Sequence, residues 1–450
     1  MKKSLQKLVA CALLVVGLVT NTFAQWQTVG QTGFSTSSAP FLYTSLAFNN
    51  SGEPYVAYRD NANSNKATVM KFNGTNWVIV GTAGFSPGGV FYTSIEFSSS
   101  DEPYVAFIDN ANSGKATVMK FDGISWITVG QEGFSEGNVS WLSFEFSNTG
   151  EPYVAFWDGA HSGKATVMKF NSNTWETVGQ AGFSAGEARD CSLAFSNTNE
   201  PHLAYSDWAN SYKASVMKFD GTVWTNVGPA GFTSGSAGFT CLAFNSTGEP
   251  YLAYDSGKAN VVKFDGTSWV TVGQPDFSEA SANFNSFAFS PSGEPYLSYE
   301  DQGNSSKATV MKFNGSNWVP VGPTGFSDGA VEYTSLAFGN SGEPFVAYKD
   351  YANSYKATVM KFSNNMSTND INFENKISLY PNPAKDYATI TSLPDASIVR
   401  ITDITGKYVF ESVSETVDLT ISTVNFANGI YIIRIESKDK IATEKLLINK

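Results

Sequence analysis

Two short segments decide the fold: Gly52-Glu53-Pro54-Tyr55-Val56-Ala57-Tyr58 and, soon after, Lys66-Ala67-Thr68-Val69-Met70-Lys71-Phe72. The Glu of the first segment returns at Glu102, Glu151, Glu200, Glu249, Glu294 and Glu343. The successive intervals are 49, 49, 49, 49, 45 and 49 residues. The first Lys of the second segment keeps step at Lys115, Lys164, Lys213, Lys258, Lys307 and Lys356, and a Trp recurs at Trp26, Trp77, Trp126, Trp175, Trp224, Trp269 and Trp318. A fixed period of this length marks a repeat architecture and has to be read before any single element.

Each copy reads as four short strands, in the first copy Thr44–Phe48, Tyr55–Tyr58, Ala67–Phe72 and Trp77–Val80. They are rich in β-branched and aromatic residues and are separated by turn residues. Ser51-Gly52 turns the chain. Pro54 opens a strand, where its missing N–H is harmless. Asn73-Gly74, with Asp122-Gly123 and Asp220-Gly221 in other copies, is a hairpin signal. Both faces of the strands carry apolar residues, as expected for sheets packed between neighbours. Six of the eight Met residues occupy one strand position (Met70, Met119, Met168, Met217, Met311, Met360), where flexible side chains can fill the wedge between splayed sheets. The expectation is all-β: a seven-bladed β-propeller of four-stranded blades over 25–362. The array begins with a lone Trp strand and ends at Phe362 without one. The ring is therefore predicted to close by pairing Trp26–Val29 with Ala357–Phe362.

The 450 residues carry a formal charge of −12, with 16% charged residues and two His. No basic stripe exists to neutralise phosphates, so nucleic acid is excluded as a partner. Lys2, Lys3 and Lys7 precede an apolar run from Leu8 to Val19, and Thr22-Phe23-Ala24 offers a small-residue cleavage site. Residues 1–24 thus read as a secretory signal peptide. Its removal takes three Lys and moves the charge from −12 to −15. No later stretch is long and apolar enough to span a bilayer. Residues 25–376 hold 18 Lys and Arg against 32 Asp and Glu, which favours a neutral or cationic ligand over an anionic one.

After Phe362 the repeat stops. Residues 363–376 are polar and Asn-rich, a linker. Residues 377–450 form a strand-rich module with the alternation of a small β-sandwich in Ile430–Ile435 and Thr443–Ile448. Four motifs stand in order here: Leu379-Tyr380-Pro381-Asn382-Pro383-Ala384, Asp403-Ile404-Thr405-Gly406-Lys407, Asn428-Gly429-Ile430-Tyr431, and Lys445-Leu446-Leu447-Ile448. With them the module resembles the type A C-terminal sorting domain of type IX secretion cargo. The resemblance covers about a sixth of the chain. It implies the type IX secretion machinery as a partner. It also implies an extracellular location, or attachment to the outer membrane surface of a Gram-negative bacterium. It says nothing of what the propeller does.

Comparison of the seven copies separates residues that every blade needs from residues that differ. The Asp ending each second strand (Asp60 and its equivalents) is expected to accept backbone N–H bonds in the following turn, the rival reading being a weak cation or sugar site. The Glu of the Gly-Glu-Pro turn is expected to serve that turn. His161 stands where other copies have Asn, and His202 where they have Tyr, so both read as structural substitutions. No His or Cys cluster suggests a metal, no cofactor is implied, and no catalytic residue stands out. Asp265-Gly266-Thr267-Ser268-Trp269 is similar to the aspartate box of sialidases but differs in internal spacing. The repeat region has only Arg59 and Arg189, where sialidase-like sites use three Arg. Cys191 and Cys241 lie on adjacent innermost strands, which usually stand too far apart for a disulfide.

The positions that vary supply the candidate ligand site. Just before the innermost strand stand Tyr43, Tyr92, Trp141, Asp190, Phe239, Phe284 and Tyr333, expected to ring the mouth of the central channel. The neighbouring loop adds Trp157, Trp208 and Tyr351, with Arg59, Tyr212, Lys349 and Tyr355. Aromatic faces beside Asp, Asn and Lys suit carbohydrate or peptide recognition. The leading expectation is a binding protein for a glycan or another macromolecule, with multivalent contact through its blades. The alternatives are an enzyme acting on polysaccharide and a structural or adhesion repeat.

Overall fold

The computed structural model describes residues 25–36, 44–363, 378–393, 397–403, 407–414, 416–437 and 440–450. The expected signal peptide lies outside them, as does the linker apart from Ser363. Two compact units are described, Gln25–Ser363 and a second unit in the tail.

In the first unit the described residues form seven four-stranded antiparallel sheets. Blade 1 comprises Thr44–Phe48, Pro54–Asp60, Lys66–Phe72 and Trp77–Ile79. The second and third strands run further than the sequence suggested, because their ladder continues through Arg59↔Ala67 to Asp60↔Lys66. The outer strand is one residue shorter than expected, although the Val80 N–H still bonds the Val69 carbonyl at 2.9 Å. Ring closure is as expected. Gln25–Thr28 pairs antiparallel with Lys356–Ser363, with Trp26 opposite Phe362, and completes blade 7.

The recurring Trp is the clasp between blades. Each indole N–H donates to a Val carbonyl of the preceding blade, as Trp77 does to Val29 (2.7 Å), Trp126 to Val80 (2.9 Å) and Trp26 to Val321 (2.8 Å). Each ring also stacks on a Phe of that blade, with centroids 4.1 Å apart for Phe34–Trp77, Phe85–Trp126 and Phe326–Trp26. The glycine after that Val is obligatory. Gly81 has φ +71°, and a Cβ there would sit 2.7 Å from the Phe121 ring. Met70 fills the wedge as foreseen, packed with Leu46, Tyr58 and Trp77 of its own blade and Ala357 and Val359 of blade 7. Nearer the axis, Ser hydroxyls tie neighbouring innermost strands. Ser45 accepts from the Ile95 N–H at 3.0 Å and Ser335 from the Leu46 N–H at 3.0 Å.

The tail unit is a small sandwich. Ser378–Tyr380, Tyr387–Thr391 and Leu419–Ser422 make one sheet. Ser397–Asp403, Tyr408–Ser414, Gly429–Ser437 and Lys440–Ile448 make the other. The alternation works as read: Tyr431, Ile433 and Ile435 enter the shared core with Ile390, Val399 and Leu446, while Ile432 and Arg434 face out.

Candidate functional site

The mouth of the channel is built by a defect repeated in the innermost strands. In blade 2 this strand is Val90–Phe97, so the residue expected to precede it, Tyr92, lies inside it. The pairing runs Val90↔Asp109 and Phe91↔Ile108, then resumes at Ser94↔Ala106. Tyr92 and Thr93 therefore share one partner position, a β-bulge, which re-aims side chains. In the six copies where this residue is described it takes a left-handed backbone: Tyr92 (φ 50°), Trp141 (47°), Asp190 (48°), Phe239 (51°), Phe284 (50°) and Tyr333 (54°). The following Thr secures the bulge next door. The Thr44 hydroxyl donates to the Tyr333 carbonyl at 2.5 Å, that of Thr334 to Phe284 at 2.6 Å, and that of Thr240 to Asp190.

Six of the expected ring residues line one central cavity of about 380 Å3; Tyr43, the seventh, lies outside the described residues. The rings lean on one another, with centroids 5.0 Å apart for Phe239–Phe284 and 4.5 Å for Phe284–Tyr333. Thr, Ser and Asn285 side chains and both thiols complete the wall. Cys191 and Cys241 are free, the Cys241 Sγ lying 3.1 Å from the Asn285 carbonyl. Asp190 is the one carboxylate among the described lining residues. Burial pushes its carboxyl up, against the lowering effect of the Phe239 backbone N–H and the Arg189 charge.

The loop residues expected beside the mouth are placed differently. None of Trp157, Trp208 and Tyr351 lines the cavity; they belong to two rim clusters, each holding a cation of the chain itself. In one, Arg189 pairs with Glu187 at 3.1 Å and lies over Trp141 (5.5 Å), Trp208 (5.5 Å) and Tyr212 (5.2 Å). Trp157 donates to Glu187 at 2.9 Å. In the other, buried Lys349 pairs with Glu332 at 2.8 Å beneath Tyr351 (5.1 Å) and Tyr355 (5.4 Å), and the Tyr351 hydroxyl donates to Glu332 at 2.6 Å. Burial and this bond push the Tyr351 phenol up. Trp208 is 51% exposed, so its ring still offers a face to solvent.

The connection after the second strand is shortest in blade 5. Five blades place a 3-10 turn after the second strand, Asn61–Asn63 in the first. In three of them a Cβ on the facing glycine (Gly88, Gly137, Gly186) would meet the turn's Ala at 3.0 Å or less. Blade 5, four residues shorter, has no such turn, and Gly235 meets only the Ser256 Cβ at 3.9 Å.

The kept Asp residues are structural. Asp60 accepts from the Ala62 N–H (3.1 Å), Asn63 Nδ2 (2.8 Å) and the Thr68 hydroxyl (2.9 Å), donors that take up the capacity a cation would need. His161 repeats the Asn bond, with Nδ1 2.9 Å from Asp158. His202 keeps the edge contact of the Tyr it replaces, on Phe244 at 4.9 Å, as Tyr55 does on Phe97. Glu53 serves its turn through Asn49 and also reaches Lys71 at 3.0 Å.

One pair escaped the reading of loops. Glu96 and Glu145 sit in the innermost strands of blades 2 and 3, where the other copies have Ala47, Ala194, Ala243, Ala288 and Ala337. Burial pushes the Glu96 carboxyl up to about 7. Burial and the Glu96 charge hold that of Glu145 well above the usual range. Comparing the copies position by position along the strands is the signal that finds them.

In the tail, Asn382 is a fastener: its Nδ2 donates to the Lys445 carbonyl at 2.6 Å, and its Oδ1 accepts from the Leu447 N–H at 2.8 Å. Pro381 and Pro383 flank it with cis peptide bonds. Asp403 accepts from the Lys407 N–H at 3.1 Å; Gly406 lies outside the described residues. Gly429 opens its strand, Tyr431 donates to the Ala427 carbonyl at 3.1 Å, and Lys445 is exposed.

Residues 378–449 match the secretion system C-terminal sorting domain. That domain marks proteins exported by type IX secretion to the cell surface or outer membrane of Bacteroidetes, so this chain carries an export signal of that kind. No helix among the described residues is long and apolar enough to cross a membrane. No curated protein matches the chain. Among solved structures it is similar to PorZ, a surface component of the type IX secretion system of Porphyromonas gingivalis, at 12% identity and a TM-score of 0.49 over 93% of this chain and 61% of that one. It thus spans about three-fifths of PorZ. An ulvan lyase is similar at 13% identity and a TM-score of 0.46, over 75% of this chain and 95% of that one. The α-L-arabinofuranosidase of Fusarium graminearum is similar at 11% and 0.46, over 75% and 97%.

Proposed function

We propose that the propeller is a binding module, exported through residues 377–450, which recognises a glycan or another surface macromolecule at the mouth of its channel. One observation carries this reading. Six bulky or charged residues hold a left-handed backbone around one cavity, at a cost on the order of 1–3 kcal/mol each, where glycine would hold it without strain. A blade that needed only the bulge would be served by glycine. Retaining the side chains implies that they are used. The mature protein applied to a glycan array tests this. Binding is expected to be saturable and to be lost on Tyr92→Ala with Trp141→Ala. Binding that persists undiminished in that variant overturns the assignment to the mouth.

A second reading, an enzyme acting on polysaccharide, is favoured by Glu96 and Glu145, since a pair of carboxyls held protonated by burial offers the group that glycoside hydrolysis needs as its acid. It requires release of new reducing ends from a polysaccharide digest, abolished by Glu96→Gln or Glu145→Gln.

A further inference from the structure

We infer that the central cavity takes a methylated ammonium group, held by its aromatic wall and the carboxylate of Asp190. This rests on the reading of the mouth as the binding site and names the ligand chemistry there. Five of the six bulge residues on the wall are aromatic, and the sixth is an acid. Aromatic faces attract a cation through their quadrupole, and most strongly a cation that binds its own hydration water weakly. A single carboxylate among such rings supplies charge without supplying the three acceptors that a primary ammonium would demand. Elsewhere on the wall, hydroxyls are already engaged: those of Thr44, Thr334 and Thr240 donate to bulge carbonyls, and Ser45, Ser143 and Ser192 accept backbone N–H groups.

Two further observations agree. No Lys or Arg is among the residues lining the cavity, although the rim seats the chain's own cations on aromatic rings three times: Arg189, Lys349 and Arg59, the last 4.4 Å from the Phe91 centroid. Arg189 and Lys349 each bring a Glu partner. Arg189 reaches one wall ring, Trp141, from the rim, and the described lining itself holds the rings and the acid without a Lys or Arg. The field of the whole unit also favours positive charge, given 17 Lys and Arg against 30 Asp and Glu over 25–363. Burial raises the Asp190 carboxyl, and a cation docked beside it would offset that effect.

The experiment compares choline and tetramethylammonium with 3,3-dimethylbutan-1-ol, the uncharged isostere of choline, by calorimetry on the mature full-length protein. Choline is expected to bind at least about tenfold more tightly than the isostere, the scale of a desolvated cation–π contact. Asp190→Asn tolerates the left-handed backbone and is expected to erase most of that preference. Asp190→Phe, which copies the residue of blades 5 and 6, is a second variant should the first fold poorly, with the same expected result. Trp141→Ala is expected to weaken choline binding. Equal binding of choline and its isostere overturns the inference, as does cation binding indifferent to both Asp190 variants or no binding of either cation at tens of millimolar. A glycan bound at the mouth and lost with Tyr92→Ala and Trp141→Ala, alongside no preference for choline, would sink this inference and leave the binding reading standing.

Discussion

Closure of the ring by the N-terminal strand can be measured against an internal standard. Trp26 and Trp224 occupy the same position, in blades 7 and 4. Trp26 is 7% exposed, stacks on Phe326 at 4.1 Å and donates to Val321 at 2.8 Å. Trp224 is 9% exposed, stacks on Phe183 at 4.2 Å and donates to Val178 at 2.8 Å. Truncating either ring to Ala should cost about 3–5 kcal/mol, the usual range for a buried Trp. Deleting 25–30 should cost more. It removes the strand opposite Phe362 and also the Val29 carbonyl that the Trp77 indole bonds, an orphaned buried donor worth about 1–3 kcal/mol. Urea unfolding followed by Trp fluorescence suits the test, because all ten Trp lie within the propeller and none in the tail. Trp26→Ala and Trp224→Ala are expected to lower stability alike. A Trp26→Ala loss under about 1 kcal/mol, beside a full loss for Trp224→Ala, would show that the strand frays in solution and that the ring is not held shut by it.

Three further expectations concern stability. Glu96→Ala with Glu145→Ala should stabilise the propeller above neutral pH: free carboxyls lose their proton near 4.5 while folded Glu96 keeps its own to about 7. The folded state thus binds more protons across that window, so wild-type stability falls as pH rises through it, by at most about 3 kcal/mol for Glu96 given its partial exposure; equal wild-type and variant urea midpoints at pH 9 would refute this. His161→Asn, which restores the residue of other copies, should leave stability within about 0.5 kcal/mol in chemical denaturation; a larger loss would mean that the imidazole does something Asn63 does not. Gly81→Ala, forced to φ +71° with its Cβ 2.7 Å from Phe121, should lower stability by more than about 1 kcal/mol by the same method, and a neutral result would show the blade junction to be slack.

Repetition made the frame readable. Seven Trp strands against an array that lacks its last one can be reconciled only by closure, and Trp26 opposite Phe362 is the result. The mouth was readable in part. Variation among the copies points to the channel at Tyr92 and its equivalents, but the sequence there has the look of a loop end rather than of a strand interior. A bulge leaves no mark in the alternation of Val90–Phe97, since the extra residue is aromatic like Phe91 before it rather than glycine. The rim was read least well. Trp157, Trp208 and Tyr351 looked like an open binding surface. Trp157 of blade 3 meets Glu187 beside Arg189 of blade 4, and Lys349 meets Glu332 across the ladder of blade 7, contacts that only the folded sheets bring together.

The changes among copies also differ in physical cost, which helps to separate drift from use. At the outer hairpin, Thr75, Ile124, Asn173 and Thr222 succeed one another. These tips are solvent-exposed, where a substitution usually shifts stability by no more than about 0.5 kcal/mol, so their variety needs no explanation. Inside the ring the same tolerance does not hold. A Glu in place of Ala at 96 and 145 brings a carboxyl into surroundings that disfavour its charge, and an aromatic ring on a left-handed backbone carries strain that a glycine would not. Both departures from the cheaper residue fall on the innermost strands, as does the single acid among the rings. The frame every blade shares, the Trp clasp, cannot tell one ligand from another, because it is the same seven times. Discrimination has to come from positions where blades differ at a cost, and those positions lie on the innermost strands.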